Sequence, residues 1–133
     1  MSWSVILYNP NSESQEPLCS SNRIQEGGTQ IMGGTNECDL NITYNYSGLY
    51  HLVFPVEHVQ DSDGVIKVES TGLKWLYGKT GETAIPILEK AVERLGVRRD
   101  DDYWEATMGN AGFSLRILLS WAREFPNGRF SIC

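Results

Sequence analysis

"ECDLNITYNY", residues 37–46, decides the fold class, because its apolar and polar residues alternate without a break. Cys38, Leu40, Ile42 and Tyr44 fall on one side of an extended chain, and Asp39, Asn41, Thr43 and Asn45 on the other. A period of two marks a strand with one buried face. A sheet of such strands needs a layer over its apolar face, and two amphipathic helices further along supply one.

Upstream, "WSVILYN" (3–9) is rich in β-formers and ends at Asn9-Pro10, so it reads as a first strand. Residues 10–23 are polar and read as a loop. The segment "GGTQIMGGTNE" (27–37) predicts a short strand over 28–32, bent at both ends by Gly27-Gly28 and Gly33-Gly34. Downstream, Ser47 is placed to cap a short helix, "GLYHLVF", that stops before Pro55. Residues 55–70 set an Asp-Ser-Asp-Gly turn between two valine-rich runs, a hairpin or extended flap. Residues 71–77 suit one or two helical turns ending at Gly78.

The first long helix carries Ile85, Leu88, Val92 and Leu95 as its stripe and ends at Gly96. Thr80 or Thr83 caps it, and Pro86 fits only if the helix starts near 83. The second runs from 109 to 124, with Ala111, Leu115, Leu118, Leu119 and Ala122 at helical spacing and Pro126-Asn127-Gly128 as its stop. The expected fold is one α+β domain over residues 1–133. An antiparallel sheet of three or four strands packs against two main helices.

With 133 residues, 41% of them hydrophobic, the chain can bury a core with no disulfide or metal staple. Its net charge of −6 opposes binding of duplex nucleic acid, which needs clustered lysine and arginine. Cys19, Cys38 and Cys133 form no CxxC pair and read as reduced thiols of a cytosolic protein. The N-terminus lacks the features of a signal peptide, and no apolar run approaches the ~18 residues of a membrane span. A cytoplasmic location is therefore expected, and the sequons at Asn41 and Asn45 are without consequence.

"GLKWLYGKTG" (72–81) contains Gly-Lys-Thr, but five bulky residues separate Gly72 from Gly78 where a phosphate loop has four. What survives is Lys79 and Thr80 just before a helix N-terminus, whose amides favour anions. Gly109, Asn110 and Ala111 begin the last helix, where small residues let a ligand or another backbone come close. His51 and His58 belong to no metal-binding or nucleophile motif, so neither a metal nor a cofactor is expected. Asp100, Asp101 and Asp102 read as an exposed acidic turn. Trp75, Tyr77, Tyr103 and Trp104 sit beside loops and helix ends, where aromatic rings line pockets or anchor partners.

Three stretches together resemble a family of small proteins from phages, prophages and bacterial genomes: "GGTNECDLNITYNYS", "LYGKTGETAIPILEKAVERLG" and "DDDYWEATMGNAGFSLRILLSWAREFPNG". The segment near 55–69 is longer than in that family, and the C-terminus ends differently. The resemblance implies a phage-related setting, inside the host cytoplasm, without attaching a reaction to any residue. Small acidic phage proteins often act against host defences. The first expectation is a non-catalytic protein that binds or sequesters a small nucleotide-like ligand. In it Asn41, Thr43, Asn45, His51, Lys79, Thr80, Gly109 and Asn110 supply polar contacts, and Tyr46, Tyr103 and Trp104 stack. The alternatives are a protein–protein inhibitor of a host defence or nucleic-acid-processing factor, and a small nucleotide hydrolase or lyase using His51 or Glu57 as base. A homo-oligomer is left open.

Overall fold

The computed structural model describes residues 2–20, 29–31, 37–102 and 104–133, with the backbone alone at 29–31, 57–59 and 67–70. In chain order the elements are β1 (Ser2–Tyr8), β2 (Thr29–Ile31), β3 (Asp39–Thr43), α1 (Ser47–Val53), β4 (Val56–Gln60), β5 (Ile66–Ser70), α2 (Gly81–Leu95), α3 (Met108–Glu124) and β6 (Arg129–Ile132). A 3-10 turn, Tyr44–Tyr46, links β3 to α1, and a second, Gly72–Leu76, precedes α2. This is the expected small α+β fold.

The main sheet is antiparallel in the order β2-β3-β1-β6. Alternation along β1 buries Trp3, Val5 and Leu7, which join Leu40, Ile42, Phe130 and Ile132 in one core. The helices close over this face. Leu88, Ala91 and Leu95 of α2 and Leu115, Leu118, Trp121 and Ala122 of α3 are buried with it. Glycines bring the two helices together at both ends: a Cβ on Gly81 would lie 2.6 Å from the Phe125 carbonyl oxygen, and one on Gly112 would overlap the Gly96 carbonyl. The helices are thus antiparallel neighbours.

The structure departs from the sequence reading in four places. The alternation continues to residue 46, but β3 ends at Thr43, whose Oγ1 accepts from the Asn45 amide at 3.2 Å and turns the chain. That turn exposes Tyr44 and buries Tyr46, reversing the expected facing of these two tyrosines, and Tyr50 is buried beside them. β6 was not foreseen; it follows Gly128 directly and completes the sheet beside β1. Helix α2 starts at Gly81, so Pro86 lies inside it on an exposed side, where the lost hydrogen bond faces water. Finally, Ser47 is the first residue of α1 rather than its cap, and its hydroxyl bonds back to the Tyr44 carbonyl. The glycine pairs expected to bend β2 lie outside the described residues.

Hairpin β4–β5 forms a separate two-stranded sheet. Asp61 Oδ1 accepts from the amides of Asp63 and Val65, and Gly64 at φ +80° completes the turn. Among the described residues, this hairpin pairs closely only with itself.

Candidate functional site

The sequence reading set Asn41, Thr43 and Asn45 in one polar row, and the end of β3 at Thr43 breaks that row. Asn41 stays on the outer face of the sheet, opposite Ser4 and Gln30 in register. Thr43 is buried as a cap. Asn45 donates through Nδ2 to the Trp104 carbonyl at 2.9 Å, tying the turn after β3 to the acidic loop. Tyr46 is in the core, edge-on to Tyr50 with ring centroids 6.0 Å apart, and burial pushes its hydroxyl pKa up.

Asn110 is the hub of the same region. Its amide nitrogen donates to the Asp102 and Glu105 carbonyls at 3.1 and 3.0 Å, and its oxygen accepts from the Asp100 amide at 2.8 Å. Its own N–H is held by the Thr107 cap. With the side chain fully buried and both of its amide hydrogens given to loop carbonyls, Asn110 fixes the loop and is shut off from any ligand in solvent. Gly109 has the same kind of role, because any Cβ there would overlap the Arg98 carbonyl. The close approach made possible here is that of another backbone segment. Trp104 is exposed at 48%, and Tyr103 lies outside the described residues.

At the start of α2, each of the first four amides is taken. Gly81 donates to the Gly128 carbonyl, Glu82 to the Pro126 carbonyl, Thr83 to Thr80 Oγ1 and Ala84 to the Thr80 carbonyl. Just before them, Gly78 donates to the Phe130 carbonyl and Phe130 donates to the Lys79 carbonyl. The anion site anticipated at Lys79 and Thr80 is filled by the protein's own carbonyls. Lys79 instead lays its ammonium over the Trp75 ring, 5.1 Å from the centroid.

A different set of side chains surrounds a concavity of about 370 Å³. It is lined by Trp3, Tyr44, Ser47, His51, Thr71 and Lys74. Trp3 and Tyr44 meet edge-to-face at 4.7 Å and form an aromatic wall. Ser47 and His51 are four apart on α1, hence on one helical face, and Thr71 and Lys74 are three apart around the following 3-10 turn. The His51 ring lies 3.4 to 3.5 Å from where a Cβ would stand on Gly72, which at φ +58° keeps the two walls in contact. The Thr71 hydroxyl is buried without a hydrogen-bond partner among the described residues. Of the residues singled out in the sequence, His51 alone belongs to this pocket. The spacings Ser47-x-x-x-His51 and Thr71-x-x-Lys74 were visible signals, but nothing local shows that the two segments face each other.

A second concavity, about 360 Å³, lies between Asn9, Asn11 and Leu18 on one side and Glu124 to Gly128 on the other. No family model, curated protein or solved structure matches the chain.

Proposed function

We propose that the protein binds, without turning over, a small anionic ligand carrying an aromatic ring, of the nucleotide class, in the pocket between α1 and the Thr71–Lys74 turn. The observation behind this reading is the meeting of an aromatic wall, an imidazole, an ammonium and two hydroxyls around one concavity within the size range of small-ligand sites. Trp3 and Tyr44 stack a base, Lys74 meets a phosphate, and Ser47, His51 and Thr71 select among polar groups. In the phage-related setting suggested by the sequence resemblance, such binding removes a nucleotide signal of the host.

Calorimetry against cyclic dinucleotides, ADP-ribose and adenine mononucleotides tests it. The expected result is a Kd below about 100 µM, roughly 5.5 kcal/mol, for at least one of them, with intact ligand recovered after denaturation. Lys74→Met and Tyr44→Ala should each weaken binding about tenfold while melting within a few degrees of wild type. Binding that ignores both substitutions places the site elsewhere, and no binding across the set removes the reading.

One observation favours the inhibitor reading as a second. Val56, Val65 and Ile66 are 50%, 53% and 65% exposed on a hairpin that, among the described residues, has no layer packed closely on it. Exposed apolar side chains on a free strand pair suit docking to another protein. Capture from host lysate by wild type but not by Val65→Ser/Ile66→Ser would support this reading, and equal capture by both would remove it.

A further inference from the structure

Although the chain carries a net charge of −6, it places two guanidinium groups on a single ring. The Arg99 guanidinium carbon lies 4.9 Å from the Phe113 ring centroid and that of Arg116 lies 4.6 Å from it. Arg116 is one turn beyond Phe113 on α3, and Arg99 comes from the loop that follows α2. Phe113 is only 6% exposed, while both arginines are exposed.

Asp100, Asp101 and Asp102 follow Arg99 directly and set three carboxylates near this pair in the chain. Two of them keep their charge but turn one carboxylate oxygen to the loop's own backbone. Asp100 Oδ1 accepts from the Asp102 amide and Asp102 Oδ1 from the Trp104 amide, each at 3.0 Å. Asn110 anchors the same loop from inside through the Asp100 amide and the Asp102 carbonyl. Among the described residues the one ion pair is Arg123 with Glu89, well away from this ring in sequence, and neither Arg99 nor Arg116 has a carboxylate within ion-pair distance. A guanidinium laid on a ring spends its face there and keeps its in-plane N–H groups for an acceptor. The two guanidinium carbons are no more than about 9.5 Å apart, so one polyphosphate can reach both and shield their like charges.

We infer that Arg99 and Arg116, steadied by Phe113, form a recognition site for a phosphoryl dianion. The site is separate from the Trp3–Lys74 pocket and stands whether or not that pocket binds a nucleotide. The nearby aspartates keep the affinity modest, with a Kd on the order of 1 mM for two charge-assisted contacts.

Inorganic pyrophosphate is the probe, added to ¹⁵N-labelled protein at constant ionic strength with chloride as control. Saturable shifts at the amides of 97–102 and 113–117 are expected. Arg99→Met and Arg116→Met, which retain an apolar stem over the ring, should each weaken binding at least fivefold. Arg116→Lys should lose most of it, because charge without the planar fork is insufficient. Lys74→Met should bind pyrophosphate as wild type does. A parallel titration with ADP distinguishes the source of the phosphoryl group: affinity equal to pyrophosphate or tighter identifies a nucleotide tail, and weaker affinity a free anion. Absence of saturable shifts by 20-fold over that expected Kd, or shifts unchanged in both methionine variants, overturns the inference. Thermal melts of each variant show whether a loss of binding reflects a loss of fold.

Discussion

Residues 38–54 and 55–70 follow one another, and both are rich in valine, isoleucine and aromatic or β-branched residues, yet they end in opposite environments. The first sends Cys38, Leu40, Ile42, Tyr46, Tyr50 and Phe54 into the core. Within it Tyr50 contacts Trp3, Tyr46 and Phe54, each with ring centroids 6.0 Å apart. The second pairs only with itself and leaves Val56, Val65 and Ile66 to solvent. An alternating or valine-rich run specifies a strand. Whether its apolar face is covered depends on a second layer, and here α2 and α3 pack into one core with the main sheet.

That contrast predicts the largest response at the ring in the centre of the first region. Tyr50→Ala removes a fully buried side chain and its hydrogen bond to the Ala111 carbonyl at 3.2 Å, and should cost about 4 kcal/mol in urea unfolding. A cost under about 1 kcal/mol would mean that the aromatic cluster is not the core. Next comes Asn110→Ala, which strands the Asp100 amide and the Asp102 and Glu105 carbonyls. It should cost about 2–3 kcal/mol and speed hydrogen exchange across 98–105. Asn45→Ala, which frees one exposed carbonyl, should cost less.

Alkaline pH tests the same burial without mutation. Burial first, then the Glu124 carboxylate and the Cys19 thiol, push the Cys38 thiol up to about 12 from 9.0. The unfolded chain therefore loses this proton near pH 9 while the folded one keeps it. The contribution is fully present below pH 9 and is lost as pH rises toward 12, by about 1.4 kcal/mol per unit. Denaturant melts at pH 8, 9 and 10 should show that loss between 9 and 10, and Cys38→Ala should flatten it. Iodoacetamide at pH 8 should label Cys19 and Cys133 but spare Cys38, since the first two are exposed. The smallest response belongs to the hairpin: Ile66→Ser should change stability by less than about 0.5 kcal/mol. A larger loss would show that the hairpin packs on the body and would end the contrast.

How far the sequence could be read follows from the same physics. The elements from β1 to α3 were legible because period-2 and period-3.6 patterns, glycine stops and threonine caps are local signals. β6 was not, since Arg129–Ile132 is too short to show a pattern and becomes a strand only by pairing with β1. Tyr44 and Tyr46 face opposite to the sequence reading because one capping hydroxyl, that of Thr43, turns the chain before the alternation ends. Polar residues near helix starts were read as ligand contacts, and most meet backbone groups instead. Asn110 reaches a loop that begins ten residues upstream, and the amides of α2 meet carbonyls of residues 126 and 128. The pocket of Trp3, His51 and Lys74 joins three distant segments, and only the tertiary fold brings them together.

The pairing of β1 with β6 makes the first and last strands neighbours, with Ser4 and Cys133 exchanging both backbone bonds at 3.1 and 3.0 Å. The two ends of the described chain are therefore close enough to be spliced by a short glycine-rich bridge. The tip of the hairpin, Ser62–Gly64, is exposed, a natural place to open new ends. Such a circular permutant would keep every strand register and run from hairpin tip to hairpin tip. It would also join β6 to β1 locally, so that the central strand of the sheet no longer has to wait for the far end of the chain to find its partner.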